Sequence, residues 1–163
     1  MHRMDRDGIF LASIAKAADV ELSTRVSGVV EEVLVKPGQS VKKGAVLLRL
    51  NKVIFQAQVD EADAESERLR AEEAEAKRDL DRAQALYSRT VSSTSELDAA
   101  KLRYTRAKSA LNIATARITI AKKNLMDAEL RGPFNGVVAA IPGAPEVVAA
   151  ADCQPRVLVV MRR

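Results

Sequence analysis

Tryptophan is absent from this 163-residue chain, and histidine and cysteine occur once each, as His2 and Cys153. That supply cannot build a Cys/His metal cluster, an internal disulfide framework or a Ser-His-Asp arrangement in the body of the fold. Aromatics are scarce at 3%, whereas alanine alone contributes 27 residues. With 29% of residues charged, the composition suits long helices with thin seams better than a thick globular core. Long apolar runs are also missing, and none approaches the roughly 18 residues that a membrane-spanning helix needs. Ile9–Ala15 is apolar but short, and Asp5 and Asp7 sit among the arginines before it, which makes it a poor secretory leader. The chain is therefore expected either to stay in the cytoplasm or to be directed by a segment outside this sequence.

Catalytic equipment is lacking as well. No glycine-rich phosphate loop precedes a helix, and the carboxylates read as a solvated helix face. Cys153 has only Arg156 near it in sequence and reads as an inert thiol, so no enzyme and no cofactor is expected. The net charge of +4 invites a test for nucleic acid. Residues 53–90 carry 10 acidic and 6 basic side chains, and residues 94–131 carry 4 and 8, so these segments sum to −4 and +4 and cancel. No basic stripe alternates with aromatics, the stacking surface for single strands is absent, and no nucleic-acid partner is expected.

What is present falls into three parts. From Leu22 to Leu50, short β-branched runs (Val29–Val30, Val33–Val35, Val46–Leu50) are separated by Ser27-Gly28, Pro37-Gly38 and Lys43-Gly44, the pattern of small strands joined by tight turns. The middle carries the strongest signal. Leu97, Ala100, Tyr104, Ala107, Leu111, Ala114, Ile118, Ala121, Leu125 and Ala128 recur at alternating spacings of three and four. Phe55, Val59, Ala62, Ser66, Leu69, Glu73, Ala76, Leu80, Ala83 and Tyr87 repeat that spacing, with Ser66 and Glu73 as polar interruptions. A 3.5-residue period sustained so far predicts a coiled-coil seam, and the alanines allow close backbones.

Between the two segments lies a run of turn formers in which Ser93 and Glu96 fit a capping box. One helix is expected to end near Tyr87–Arg89 and the next to begin near Thr94, and so short a linker predicts an antiparallel hairpin. The acid-rich base of the first helix (Asp60, Glu61, Asp63, Glu65, Glu67) would then lie beside Arg117, Lys122 and Lys123 of the second. After Arg131, Gly132-Pro133 stops the helix, a strand restarts, and Val157–Met161 reads as a closing strand. Neither flanking half could bury a face alone, so the two are expected to pair into one small β unit. The predicted fold class is α+β: a long antiparallel coiled-coil hairpin inserted into a split β-sandwich.

The order strand half, hairpin, strand half, with Gly28-Val-Val, Pro37-Gly38, Val41-Lys-Lys-Gly44 and Leu47 before the hairpin and Arg131-Gly-Pro-Phe-Asn-Gly136-Val-Val after it, resembles the periplasmic adaptor (membrane fusion protein, HlyD-like) family. Members of that family bridge inner-membrane transporters to TolC-type outer-membrane channels in tripartite efflux or secretion systems. The resemblance covers about residues 20–138 and implies a lipoyl-like β unit. The family's tip motif is Arg, three residues, Leu, six residues, Ser, and Arg82, Leu86 and Ser93 stand at that spacing. The resemblance implies that these three dock with the channel. Ser93 also reads as an N-cap, Leu86 as a seam closure, and Arg82 as a solvated arginine paired with Asp79 or Asp81.

One tip is a small contact, so several tips in a ring, and hence a homo-oligomer, are implied. The same resemblance implies a periplasmic, inner-membrane-associated adaptor. It is expected to be truncated, lacking the family's anchor and barrel domains and with them the contacts to an RND- or ABC-type inner-membrane transporter. The expected division is an N-terminal segment 1–19, a first lipoyl-like half 20–51, a hairpin 52–131 and a divergent second half 132–163. Two other readings stand beside it. A lipoyl or biotinyl carrier needs its modified lysine at the turn that the hairpin occupies here, and Lys42 and Lys43 lie in a different turn. A generic structural coiled coil would associate through its seam without using the tip.

Overall fold

The computed structural model describes residues 19–90, 92–143, 145, 148–149 and 156–163. Ile9–Ala15, His2 and Cys153, read above from sequence, lie outside these described residues. The chain divides into two compact units, residues 1–53 with 124–163 and residues 54–123.

Among the described residues the first unit has eight strands: β1 Asp19–Leu22, β2 Gly28–Val33, β3 Ser40–Val41, β4 Val46–Leu50, β5 Glu129–Arg131, β6 Gly136–Ala140, β7 Val148–Ala149 and β8 Val159–Arg162. They form two four-stranded antiparallel sheets with orders β1-β8-β6-β3 and β5-β4-β2-β7. Each sheet takes two strands from before the helices and two from after them. In one sheet the later pair sits inside, and in the other the earlier pair does. The register places Val20 opposite Met161, Val41 opposite Gly136, and Leu48 opposite Leu130.

The alternating apolar positions of these strands meet in one core. Val30, Leu47, Leu48, Leu50, Val138, Leu158, Val159 and Met161 are all buried. Full burial of each such side chain contributes about 1.5–3 kcal/mol, so the stability of this unit lies here.

Turn and loop amides repeat the cross-half pairing outside the ladders. Gly38 N donates to Val138 O at 2.7 Å and Gly44 N to Gly132 O at 2.8 Å, while Leu50 N donates to Ala128 O at 2.8 Å and Leu158 N to Leu22 O at 2.9 Å. Gly44 has φ +86°, a conformation that costs a side-chain-bearing residue about 1–2 kcal/mol. At Gly136 the demand is spatial, because a Cβ there would stand 2.3 Å from the carbonyl oxygen of Arg162.

Where the sheet meets the end of the second helix, Glu129 gathers three cations. Its carboxylate takes Lys52 Nζ at 2.5 Å, Arg131 Nη2 at 2.5 Å and Arg49 Nε at 3.5 Å, and its side chain is only 13% exposed. Arg131 also donates through Nη1 to Gly44 O at 3.0 Å. At the outer sheet edge Arg162 forks onto Asp19 at 2.6 and 3.0 Å, which holds the Asp19 carboxyl below the usual carboxylate range.

The second unit lies within α1 Val53–Ser88 and α2 Thr94–Asp127. Asn51 Oδ1 accepts from Val53 N at 3.0 Å and starts α1, whose 36 residues span about 54 Å. The heptad positions are the shielded ones: Phe55, Val59, Ser66, Leu97, Ala100, Ala114 and Ala121 are buried, and every other seam position except Tyr87 is at least half-buried. The antiparallel register is visible where Lys77 lies 5.9 Å from the Tyr104 ring centre and where Glu65 feels the charge of Arg117. Ser66, expected as a polar interruption, is 2% exposed and its hydroxyl has no partner.

Three details differ from the sequence reading. The strand restarts at Glu129 rather than after Arg131, because three residues are too few to show alternation and Ala128, buried just past the helix, continues the heptad spacing by coincidence. Val33–Val35 is not a strand of its own. β2 carries a register shift between Val30 and Glu32 and ends at Val33, after which Leu34 N donates to Leu47 O. The closing strand runs two residues later at its start than expected, because Leu158 is bonded to Leu22 just outside the ladder.

Lys52 and Arg131 hold the Glu129 carboxyl below the ordinary glutamate range. A depressed folded pKa contributes stability above the unfolded value of about 4.3 and loses it as pH falls through the folded value. Glu129→Gln is therefore expected to cost about 1 kcal/mol at pH 7 in denaturant unfolding and to flatten the loss of stability below about pH 4.5, where the parent weakens.

Candidate functional site

The turn between α1 and α2 and the end of α1 before it hold the residues singled out from sequence. Helix α1 closes with Ser88 Oγ donating to Ala85 O at 2.9 Å and Thr90 N donating to Tyr87 O at 3.0 Å. Thr90 sits at φ 61°, a left-handed conformation that β-branched residues rarely adopt. Helix α2 opens on a reciprocal cap. Ser93 Oγ accepts from Glu96 N at 3.3 Å, Glu96 Oε2 accepts from Ser93 N at 3.2 Å, and Ser93 O accepts from Leu97 N at 3.3 Å. The capping box read from the spacing of Ser93 and Glu96 is thus present, and it fixes where the chain turns back.

Arg82 and Leu86 share a groove of about 360 Å³ beside this turn, with Ala83 on the same wall and Ser92 and Glu96 opposite. Arg82 is 71% exposed and donates through Nη1 to Asp79 Oδ1 at 3.2 Å, the partner expected for it. Leu86 and Tyr87 are 38% and 44% exposed. Two large apolar side chains and a guanidinium thus face solvent within six residues of one helix end. Ser93 does not line the groove, since its hydroxyl belongs to the cap. Ser92, which the sequence reading passed over as one of several turn formers, does line it, and its hydroxyl is shielded and unpartnered.

The arm below is laced by short-range ion pairs. Arg68 bonds Glu65 and Glu72, and Lys77 reaches Asp81 at 2.5 Å. Arg68 holds the Glu65 carboxyl low, and Asp81 raises the Lys77 ammonium. The expected pairing of acidic and basic helix bases is seen at Glu65 and Arg117, although Glu65 is bonded chiefly within its own helix. Among the described residues there is no group of three His, Cys, Asp or Glu side chains placed to hold a metal, and no helix long and apolar enough to cross a membrane.

No family model matches the chain. The multidrug resistance protein MdtA of Cronobacter turicensis is 30% identical over 128 residues, spanning 78% of this chain and 31% of that protein. The efflux pump periplasmic linker BepD of Brucella suis is 27% identical over 128 residues, 78% of this chain and 32% of BepD. The chain therefore spans about a third of these relatives. Among solved structures, the membrane fusion protein Spr0693 of Streptococcus pneumoniae superposes with a TM-score of 0.67 at 17% identity, over 88% of this chain and 58% of that one. MacA of Actinobacillus actinomycetemcomitans superposes with a TM-score of 0.59 at 21% identity, over 86% and 48%. The likeness in these structures is one of fold.

The cap and the left-handed turn act on stability in opposite directions. Ser93→Ala is expected to lower the stability of the hairpin by about 1 kcal/mol, and Thr90→Gly to raise it by about 1 kcal/mol, read as opposite shifts in thermal unfolding followed by helical circular dichroism.

Proposed function

We propose that this chain, a relative of the membrane fusion proteins in sequence and a bearer of their fold, works as a non-enzymatic periplasmic adaptor that docks a TolC-type outer-membrane channel through the tip of its hairpin. In this reading the expected halves 20–51 and 132–163 form a lipoyl-like domain split by the arm, with Glu129–Arg131, expected within the arm, joining the second half as β5. The observation that carries it is the exposure of Arg82 and Leu86 beside a turn held by a reciprocal cap. A guanidinium fork and an apolar side chain on a fixed helix end can cap another helical turn, whose last carbonyls lack partners of their own. Arg82, Leu86 and Ser93 are the proposed docking residues, with Ser93 acting through the shape of the turn.

A single tip offers far less area than a stable interface, so useful affinity requires several tips held together. The arm supports such an assembly. Leu102, Ile113 and Ile120 are 51%, 57% and 61% exposed, and their separations of 11 and 7 residues place them on one face of α2, away from the seam. On α1, Ala57, Ala64, Ala71 and Ala85 are exposed at multiples of seven residues. Large side chains of one copy against alanines of the next would repeat the rule of the internal seam, and the −4 and +4 charges of the two segments favour the same match.

Two experiments test this reading. Surface plasmon resonance of the full chain over a purified TolC-type channel is expected to show Arg82→Asp and Ser93→Arg each weakening binding tenfold or more. Unchanged binding, or none by the parent, would favour a structural coiled coil instead. In sedimentation equilibrium, the pair Ile113→Lys and Ile120→Lys is expected to shift the mass toward the monomer while helicity is kept. An unchanged mass would remove the arm from the assembly.

A further inference from the structure

The tip groove carries one charge that the docking motif does not account for. Arg103 of α2 lines it together with Asp79, Arg82, Leu86, Ser92 and Glu96. Both carboxylates of the groove are already engaged, Asp79 by Arg82 at 3.2 Å and Glu96 by the Ser93 amide at 3.2 Å. Arg103 is exposed and finds no hydrogen bond or ion pair among the described residues. Ala83 and Ala100 keep the groove open between the two helices, and the Ser92 hydroxyl in its wall is shielded and unpartnered. A guanidinium offers five donors in a planar fork, and its best complement is a carboxylate held by two parallel bonds.

We infer that the groove receives an acidic side chain of the docking partner, with Arg103 as the residue that selects it. Leu86 and the two alanines give that side chain an apolar seat, and Arg82 closes the far wall. The inference rests on the docking reading and deepens it, because it names the chemistry on the other side of the contact. It also places a selecting residue on α2, outside the three positions of the motif. Since Arg103 has no hydrogen-bond or ion-pair partner among the described residues, its replacement leaves the hydrogen bonds and ion pairs described for the hairpin in place.

The test is surface plasmon resonance of the full chain over a purified TolC-type channel, at 50 and 300 mM salt, with Arg103→Glu, Arg103→Lys and Arg82→Asp compared with the parent. Thermal unfolding of each variant serves as the check on folding. Arg103→Glu is expected to weaken binding tenfold or more and to remove most of the salt dependence, with Arg103→Lys intermediate because an ammonium keeps the charge without the fork. Replacing an acidic residue at the channel tip with arginine is expected to restore binding to Arg103→Glu alone. Loss of binding with Arg82→Asp but not with Arg103→Glu would overturn the groove assignment and leave the docking reading intact. Absence of binding by the parent would overturn both. Rescue by an acidic-to-arginine change in a neighbouring copy of this chain, rather than in the channel, would overturn the assignment of the partner.

Discussion

The structure depends on an interleaving of backbone. Each sheet of the β unit takes two strands from each end of the chain, an inner pair from one end flanked by strands from the other, so neither sheet is complete until residues near 20–50 have met residues near 129–162. About 75 residues of helix and turn intervene, and loop closure over that length costs only slowly increasing entropy, about 0.6 kcal/mol for each doubling. The cost is small beside the burial of Leu47, Leu48, Leu50, Val138, Leu158, Val159 and Met161. It falls further because the insert folds upon itself and returns its own ends together. Leu50 and Ala128, joined by a 2.8 Å hydrogen bond, mark the place where the two solutions coincide.

Within the hairpin, specificity is divided between apolar and polar groups. The seam of large residues and alanine sets the separation of the helices, while the ion pairs, exposed and within one helix, are screened by solvent and contribute little individually. The cap at Ser93 and the left-handed Thr90 fix the turn, and this is the feature on which the proposed docking rests. A tip that frayed would present Arg82 and Leu86 in many geometries and pay an ordering cost on every encounter.

Much of this was legible in the sequence because the relevant periods are long. Twenty heptad positions, a capping box at Ser93 and glycines at turns leave few alternatives for residues 53–127. The short strands were less readable. Ser40–Val41 and Glu129–Arg131 are two and three residues long, and only the pairing partner that tertiary structure supplies, Gly136 for Val41 and Leu48 for Leu130, makes them strands. The groove beside the tip was hidden for a related reason. Arg103 and Ser92 carry no periodic signal, and they stand out only because the opposite helix brings Asp79, Arg82 and Leu86 to the same groove.

The central claim is that the far end of the hairpin, and not its length, meets another protein. A photo-crosslinking amino acid placed at Leu86, and separately at exposed Arg70 in the middle of α1, in chain mixed with a TolC-type channel tests it most directly. The account predicts channel adducts from position 86 and none from position 70. Adducts from position 70 alone, or no channel adduct from position 86, would contradict it.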